Sequence, residues 1–479
     1  MARRYPHSDS LRPGSGPRSR WDVPQGREAG LWQGLTPPQM FVGSFVLLIA
    51  AGTLGLRLLP GLYVGEPLGW IDAMFTATSA VCVTGLIVVD TATHFTPLGQ
   101  AFLLLLIQLG GLGMLAFTTL IIVALGRRLS LRAEMLAGTS RDAAPHIDTK
   151  RLALDVVRFT LILEAIGATA LYLLWAPRMG WVDALWPATF HSVSAFCNAG
   201  FSTFSDSLVG FQAAPATLTV VIILIIAGGI GFLPMEEIGL NWFGSRRKFR
   251  VRMSLHSRLV LWTSAILVCG GWVLFIMFEW DNCLSGMRPV DKFYNGLFMS
   301  VTARTAGFNS VDYASASDSA NFLTILLMMI GGSPGSTAGG LKTTTFALIG
   351  LLAWSRLRSW ETASFAGRSV PDETIQRAFG LLAVAVAVVV AGVFSLAATE
   401  PLPGNDARFL VRMFEAVSAF CTVGLSMGMT SELSTTGRVT VTLLMFLGRV
   451  GPLTLAAALV TRRPGRGRFR YAYEDVVVG

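Results

Sequence analysis

The chain has 479 residues, of which 52% are hydrophobic and 14% charged, and its formal net charge is +9. Soluble domains carry about 25% charged residues; with a mean hydropathy of +0.58, this composition excludes an ordinary soluble globule and indicates a polytopic membrane protein. Five scattered cysteines, Cys82, Cys197, Cys269, Cys283 and Cys421, do not form the pattern of a disulfide framework, and no CxxC or histidine cluster indicates a metal site.

Residues 1–38 are rich in Arg, Pro, Gly and Ser and predict a disordered cytoplasmic head. The first apolar run starts too late for a cleaved signal peptide. Candidate spans of about 20 residues begin near Met40, Leu98, Ala153, Ala216, Leu259, Asn321, Phe379 and Arg438, which predicts roughly eight helices. The run 321–354 exceeds one span and is broken by Gly and Pro. Basic residues gather in the head, in 127–151, in 246–258 and in the tail from Arg462 to Arg470. The intervening loops are short of Lys and Arg. This alternation puts both termini and the basic loops in the cytoplasm. It also accounts for the positive charge without nucleic acid as a partner.

A twelve-residue pattern recurs along the chain. FTATSAVCVTGL ends at Leu86, FHSVSAFCNAGF at Phe201 and FEAVSAFCTVGL at Leu425. Each has Phe ten residues before the glycine, Ser-Ala at minus six and minus five, and Cys at minus three. A fourth copy, LFMSVTARTAGF, ends at Phe308, with Leu297, Val301-Thr302 and Arg304 at those positions. The glycines Gly85, Gly200, Gly307 and Gly424 stand 115, 107 and 117 residues apart. Four units of similar length follow: 39–126, 127–245, 246–357 with a broken second helix, and 358–479, which includes the cytoplasmic tail. Each reads as helix, re-entrant loop, helix. The stretch before each glycine, such as Asp72–Val81, is apolar but too short to span and fits a half-length pore helix. Non-helical backbone at membrane depth is tolerated only where it lines a water-filled cavity or is buried in protein. The expected fold is therefore an all-α polytopic membrane protein with four helix–pore-loop–helix repeats around one central pore.

In such a fold Val83-Thr84-Gly85, Asn198-Ala199-Gly200, Thr305-Ala306-Gly307 and Thr422-Val423-Gly424 turn carbonyls toward the axis. Those oxygens replace the hydration shell of a cation. Glycine supplies the positive φ that lets successive carbonyls face one way. The alternative is four tight turns between packed helices.

These motifs resemble the pore subunit of the Trk/Ktr/HKT potassium transporter superfamily over roughly residues 40 to 479. The resemblance implies that the four glycines line a selectivity filter. In some plant members a serine in the first unit accompanies sodium selectivity; Gly85 at that position implies potassium. Two additional N-terminal spans common in Trk-type members are absent, and the ending YAYEDVVVG is similar to Ktr endings, so the resemblance is to the bacterial Ktr-type membrane subunit. It implies a homodimer with one pore per protomer and a cytoplasmic ring of nucleotide-binding RCK-type subunits, for which the basic loops 246–258 and 355–377 are docking candidates. It places the chain in the bacterial inner membrane, surrounded by lipid. No covalent cofactor is expected, and sodium is an activator of some Ktr members.

The break in the sixth span, IGGSPGSTAGGLKTTT, cannot form a stable helix interior. It resembles the intramembrane gating loop of the family, with Gly331, Gly332, Ser333, Gly335, Ser336, Gly339, Gly340 and Lys342 as its residues. Ser333, Ser336 and Thr337 are candidates to bond the freed backbone, and Lys342 to snorkel toward the cytoplasm. A kinked helix with small residues for close packing is the alternative. Arg449 lies mid-span, where an arginine costs about 2.5–3.5 kcal/mol on insertion scales. The resemblance makes it a pore-lining barrier near the loop, able to donate to carbonyls of Gly331–Gly340; a structural pair with a buried acid is the alternative. Arg304 and Glu415 are expected behind the filter, where they could pair. Glu164 either binds a cation or packs against a hydroxyl. Glu236 and Glu237 are expected in a solvated vestibule. Gly110–Gly113 is expected to allow a bend or close packing.

The function that follows is channel-like potassium uptake, driven by ion gradients or a partner, since no phosphate-binding loop is present. A secondary carrier coupling a solute to sodium or protons is the first rival; such carriers show paired halves rather than four loops. An enzyme is the second. Of His7, His94, His146, His191 and His256, only His191 lies near a repeated motif, and it has no acid or Cys partner at a convincing spacing.

Overall fold

The computed structural model describes residues 36–124, 149–244, 253–360, 362–400 and 408–459. The head, the tail and most of the basic segments at 127–151 and 246–258 lie outside the described residues.

Four times the chain runs as a long helix, a half-length helix and a second long or broken helix. The first set is α1 (Pro37–Leu58), α2 (Trp70–Val81) and, after the short α3 (Thr91–His94), α4 (Pro97–Ala124). The second is α5 (Thr149–Met179), α6 (Leu185–Cys197), α7 (Pro215–Ile230) and α8 (Phe232–Gly244). The third is α9 (Leu255–Glu279), α10 (Pro289–Thr302), α11 (Asp318–Met329) and α12 (Thr343–Leu357). A two-stranded hairpin, β1 (Ser364–Phe365) with β2 (Arg368–Ser369), precedes the fourth: α13 (Asp372–Thr399), α14 (Arg408–Phe420), α15 (Thr435–Val450) and α16 (Pro452–Leu459).

The half-length helices are inside and the long first helices outside. Of α2, residues from Ala73 to Val81 are almost all buried. In contrast, Leu47 of α1, Ile166 of α5, Trp262, Ile266 and Met277 of α9 and Phe394 of α13 are all more than half exposed. Large apolar side chains facing outward are unfavourable in water and at home against acyl chains.

The packing is cyclic. The second helix of each set lies against the half-length helix of the next: α4 on α6, α7 on α10, α11 on α14, and α15 back on α2. The last contact joins the two ends of the chain, and an Arg438 Nη1–Asp72 Oδ1 ion pair of 2.5 Å reinforces it. Two buried acids tie the outer ends of helices together in matching ways. Glu279, closing α9, accepts the amide and hydroxyl of Ser317, the N-cap of α11, at 2.8 and 2.5 Å. Glu400, after α13, accepts from the amide and hydroxyl of Ser434, the N-cap of α15. These acids satisfy amides that a helix start leaves without intrahelical partners.

Not every span is continuous. Among the described residues five helices are long and apolar enough to cross a membrane, or six if the α7–α8 pair, bent by 108°, is one span. Three second helices are interrupted. Gly231 breaks α7 from α8 at φ +92°, and Gly451 breaks α15 from α16 at φ +82°, with Pro452 following. The third interruption is the expected one between α11 and α12. The α7–α8 run stays apolar through its break, so apolar content alone does not register it, whereas Arg449, Gly451 and Pro452 interrupt the run at the other.

Candidate functional site

At the centre of the bundle the four glycine segments meet. Each half-length helix ends a few residues before its glycine, and the chain then leaves helical geometry in the same way each time. Val83, Asn198, Thr305 and Thr422, two residues before the glycines, all have positive φ, between 50° and 75°. Gly85, Gly200, Gly307 and Gly424 themselves have φ of 94°, 70°, 80° and 90°. A β-branched residue at positive φ is a true outlier, so three of the four segments hold strain that the surroundings must enforce. Hydroxyls at the repeated serine position do part of this in the first, second and fourth segments, and a threonine one residue later does so in the third. Ser79 Oγ accepts from Gly85 N–H at 3.1 Å and Ser418 Oγ from Gly424 N–H at 3.1 Å, while Ser194 Oγ donates to Phe201 O at 2.8 Å. Thr302 Oγ1 donates to Phe308 O at 2.6 Å in the third segment.

The glycines form a closed ring. A methyl group added to Gly85 would stand 2.5 Å from Ala199 O, and one added to Gly200 would stand 2.9 Å from Ala306 O. At Gly307 the obstacle is Val423 O, and at Gly424 it is Thr84 O, both closer still. Each glycine therefore admits the carbonyl of the residue preceding the next glycine, in chain order, and the fourth returns to the first. The side-chain oxygens Thr84 Oγ1, Asn198 Oδ1, Thr305 Oγ1 and Thr422 Oγ1 are buried in this region without a hydrogen-bond partner. Beyond the glycines lies a cavity of about 270 Å³ lined by Gly85–Asp90 and by residues from Gly424 to Ser431.

On the opposite side of the ring the 330–342 break forms a compact loop. Ile330 and Leu341 pair as a parallel bridge, and Gly331 N–H donates to Leu341 O at 2.8 Å. Ser333 and Thr337 amides donate to Gly229 O and Gly228 O, at the end of α7, and Phe232 N–H donates back to Gly335 O. The broken ends of α7 and α11 thus satisfy each other, which is how polar backbone persists at membrane depth. Ser336 Oγ donates to Ser333 O at 2.6 Å, and Ser333 Oγ bonds Thr343 Oγ1 at 3.1 Å. The loop touches the ring segments directly. Asn198 Nδ2 donates to Thr337 Oγ1 at 2.9 Å. Gly339 has no room for a side chain because Thr422 Oγ1 occupies the place of its Cβ, and Cys421 backs Gly340.

Arg449, 1% exposed, sits where α15, α4 and the loop converge. Its Nη1 donates to Thr337 O and its Nη2 to Gly110 O at 3.2 Å. Its hydrogen-bond partners are carbonyls, not the buried acid weighed as the alternative. Lys342 does not snorkel: Nζ folds back onto Ala338 O at 2.6 Å and closes the loop on itself.

The other charged residues also find definite places. Arg304 and Glu415 do not pair. Arg304 Nη2 reaches Ser264 Oγ at 3.2 Å and Gly331 O at 3.4 Å, whereas Glu415 accepts from Ser426 Oγ at 2.9 Å and from Thr430 Oγ1. Each carries the side chain its own segment needs, so complementary charge in the sequence implied no contact. The Glu164 carboxylate accepts from Gln108 Nε2 at 3.0 Å and from Cys197 Sγ at 3.8 Å, while Ser192 Oγ donates to its backbone carbonyl at 2.6 Å. Glu237 is buried, with Ser254 N–H on its Oε2 at 2.9 Å, so it is not a solvated vestibule acid. His191 is enclosed between Trp175 and Phe204, its ring nitrogens bonded to Pro187 O and Ser202 Oγ, which is a packing role. Cys82, Cys197 and Cys421 are buried free thiols.

Gly110, expected to allow a bend or close packing, packs closely and belongs to a set whose other two members, Gly228 and Gly448, sequence reasoning missed. Gly110, Gly228 and Gly448 press against the last carbonyls of the half-length helices, Val81 O, Phe196 O and Phe420 O, so closely that no Cβ fits. The signal was available: each stands 24 to 28 residues after its ring glycine.

Fold and site together define a polytopic helical membrane protein built around one ring of backbone segments with a loop packed beneath it. The chain belongs to the TrkH family of cation transport proteins, whose family model matches residues 40–466. It is similar to the Ktr system potassium uptake protein B of Bacillus subtilis, with 37% identity over 450 residues covering 94% of this chain and 98% of that one. It is similar also to the potassium/sodium uptake protein NtpJ of Enterococcus hirae, with 35% identity covering 93% and 98%. The crystal structure of the potassium transporter TrkH from Vibrio parahaemolyticus shares the fold, with a TM-score of 0.72 over 90% of this chain and 86% of that one at 20% identity.

Proposed function

We propose that this protein takes up potassium across the bacterial inner membrane through the central ring, as a channel-like transporter. One observation carries the reading: four segments with the same unusual backbone close into a ring in which every glycine admits its neighbour's carbonyl. An ion arriving from the 270 Å³ cavity exchanges water for these carbonyl oxygens. The C-termini of α2, α6, α10 and α14 face the same region, and each contributes about half a negative charge before screening. The names of the relatives, potassium uptake proteins among them, support potassium as the ion.

In this reading the 331–342 loop is the gate. It lies against three of the ring residues, and Arg449 both anchors it and sets a positive charge under the ring. Passage requires the loop to leave the axis, breaking bonds to Gly228, Gly229 and Arg449. The chain works as a homodimer with a cytoplasmic RCK-type nucleotide-binding ring that pulls on the loop, docked on the basic segments 246–258 and 355–377. The word "system" in the names of Ktr relatives supports a second component. Both termini are cytoplasmic.

The test is growth at low potassium and rubidium uptake in a potassium-uptake-deficient bacterium, comparing wild type with Gly424→Asp. The reading expects rescue by wild type and none by the variant, with both present in the membrane. Failure of wild type even when a matching cytoplasmic subunit is supplied would favour a carrier.

A further inference from the structure

A cavity of about 240 Å³ lies off the central axis, between α7 and α9. Its walls are apolar, formed by Ile225, Ile226 and Ile230 on one side and Leu261 and Val268 on the other. Ala265 and Cys269, both exposed, stand at its outer edge. The polar groups are at the inner end: Ser264, the loop backbone at Gly332, and Arg304.

Arg304 differs from the other enclosed charges. Arg438 has Asp72, and Glu279 has four donors. Arg449 holds two carbonyls. A guanidinium has five N–H donors, yet Arg304 spends only Nη2, on the two long contacts to Ser264 and Gly331. Its Nε is buried without an acceptor, as are those of Arg438 and Arg449, so the difference lies in its unused Nη1 and its long Nη2 contacts. Among the described residues no carboxylate lies within ion-pair distance of it. An unpaired charge in apolar surroundings is costly, and the cavity leads from the lipid-facing surface to it.

Depth selects the ligand. Ser264 is nine residues from the start of the 25-residue helix α9, so it lies about 14 Å from one end and about 22 Å from the other at 1.5 Å per residue. Phospholipid headgroups stay at the surface of a core about 30 Å thick. A fatty acid is different: protonated, it is neutral and carries its carboxyl to mid-depth, where a guanidinium favours the ionised form.

We propose that this cavity binds the carboxyl group of a single-chain fatty acid that enters from the bilayer between α7 and α9, with the carboxylate on Arg304 beside Ser264 Oγ and the chain along Ile225, Ile226 and Leu261. A carboxylate matches the guanidinium fork in a bidentate pair. Arg304 also touches Gly331 O, so occupancy competes with a tie to the loop. The site does not depend on which ion passes the ring.

The test uses the full chain in liposomes and a photoactivatable palmitic acid with its diazirine near the carboxyl, mapped by peptide mass. Label should concentrate on α7 and α9 around the cavity. Unlabelled palmitic acid should compete and its methyl ester should not. Arg304→Gln should reduce the label at least about ten-fold, Arg304→Lys less so. Should Arg304→Gln fail to fold, Ala265→Phe, at an exposed edge position, decides by obstructing the cavity in a protein of unchanged thermal stability. Equal labelling of all lipid-facing helices, or equal competition by the methyl ester, would overturn the proposal. So would label undiminished in Ala265→Phe.

Discussion

Gly85→Ser tests the ring most sharply, because it adds the smallest polar side chain at a single point. The new Cβ would lie 2.5 Å from Ala199 O and 3.1 Å from Gly200 Cα, about 0.5 Å inside the closest approach that real Cβ atoms tolerate. Neither neighbour is a flexible side-chain tip; both belong to the backbone of the adjoining segment, which is itself held at positive φ. The residue must also keep φ +94°, a conformation that costs a non-glycine about 1–3 kcal/mol. That energy alone shifts the balance between an intact and a distorted ring by about five- to 150-fold. The relaxed ring is wider at one corner and carries a hydroxyl there. Potassium should therefore lose its advantage over sodium by about ten-fold or more. The assay is rubidium uptake with potassium or sodium as competitor, in cells and in liposomes. Gly113→Ala is the control, since a Cβ at Gly113 meets nothing within 4 Å. An unchanged preference in Gly85→Ser, at normal membrane abundance, would refute the assignment of this ring as the filter.

Other variants probe the parts around the ring. Arg449→Gln loses at least one of the two carbonyl contacts and the positive charge, so resting flux without a cytoplasmic partner should rise by about ten-fold; unchanged resting flux would remove Arg449 from the gate. Arg449→Lys should behave similarly, because one ammonium cannot bridge Thr337 O and Gly110 O as the fork does. Glu279→Ala leaves the Ser317 amide and its neighbours without their acceptor, at about 1–3 kcal/mol per unsatisfied group. The purified protein should melt at a lower temperature with ion preference unchanged; a changed preference would mean the outer staple reaches the ring.

Local pattern made the ring legible. Glycine, serine and aromatic residues at fixed offsets, repeated at near-equal intervals, announced four equivalent segments. The loop was legible for a similar reason, since Gly331 to Gly340 and Pro334 cannot continue a helix. Less legible were features without a local signature. The breaks at Gly231 and Gly451 carry a weaker signal than the loop, glycines with one proline close behind, Pro234 and Pro452, inside runs of span length. Asp72 and Arg438 pair across nearly the whole chain, and only the cyclic closure brings them together. Whether Arg304 and Glu415 pair was open in the sequence, because charge was all it offered; the structure gives each its own hydroxyl or carbonyl contacts. Glu279 and Glu400 could have been found by aligning the repeats, since each stands at the end of the first long helix of its set and bonds the serine N-cap of the helix after the half-length one.

The most direct measurement is rubidium flux into liposomes holding the purified wild-type chain with a supplied cytoplasmic ring subunit, with no other solute gradient than potassium. The account predicts flux that follows the potassium gradient, is competed by potassium far better than by sodium, and is absent in Gly424→Asp. Flux that appears only when a proton or sodium gradient is imposed, or that survives Gly424→Asp unchanged, would contradict it.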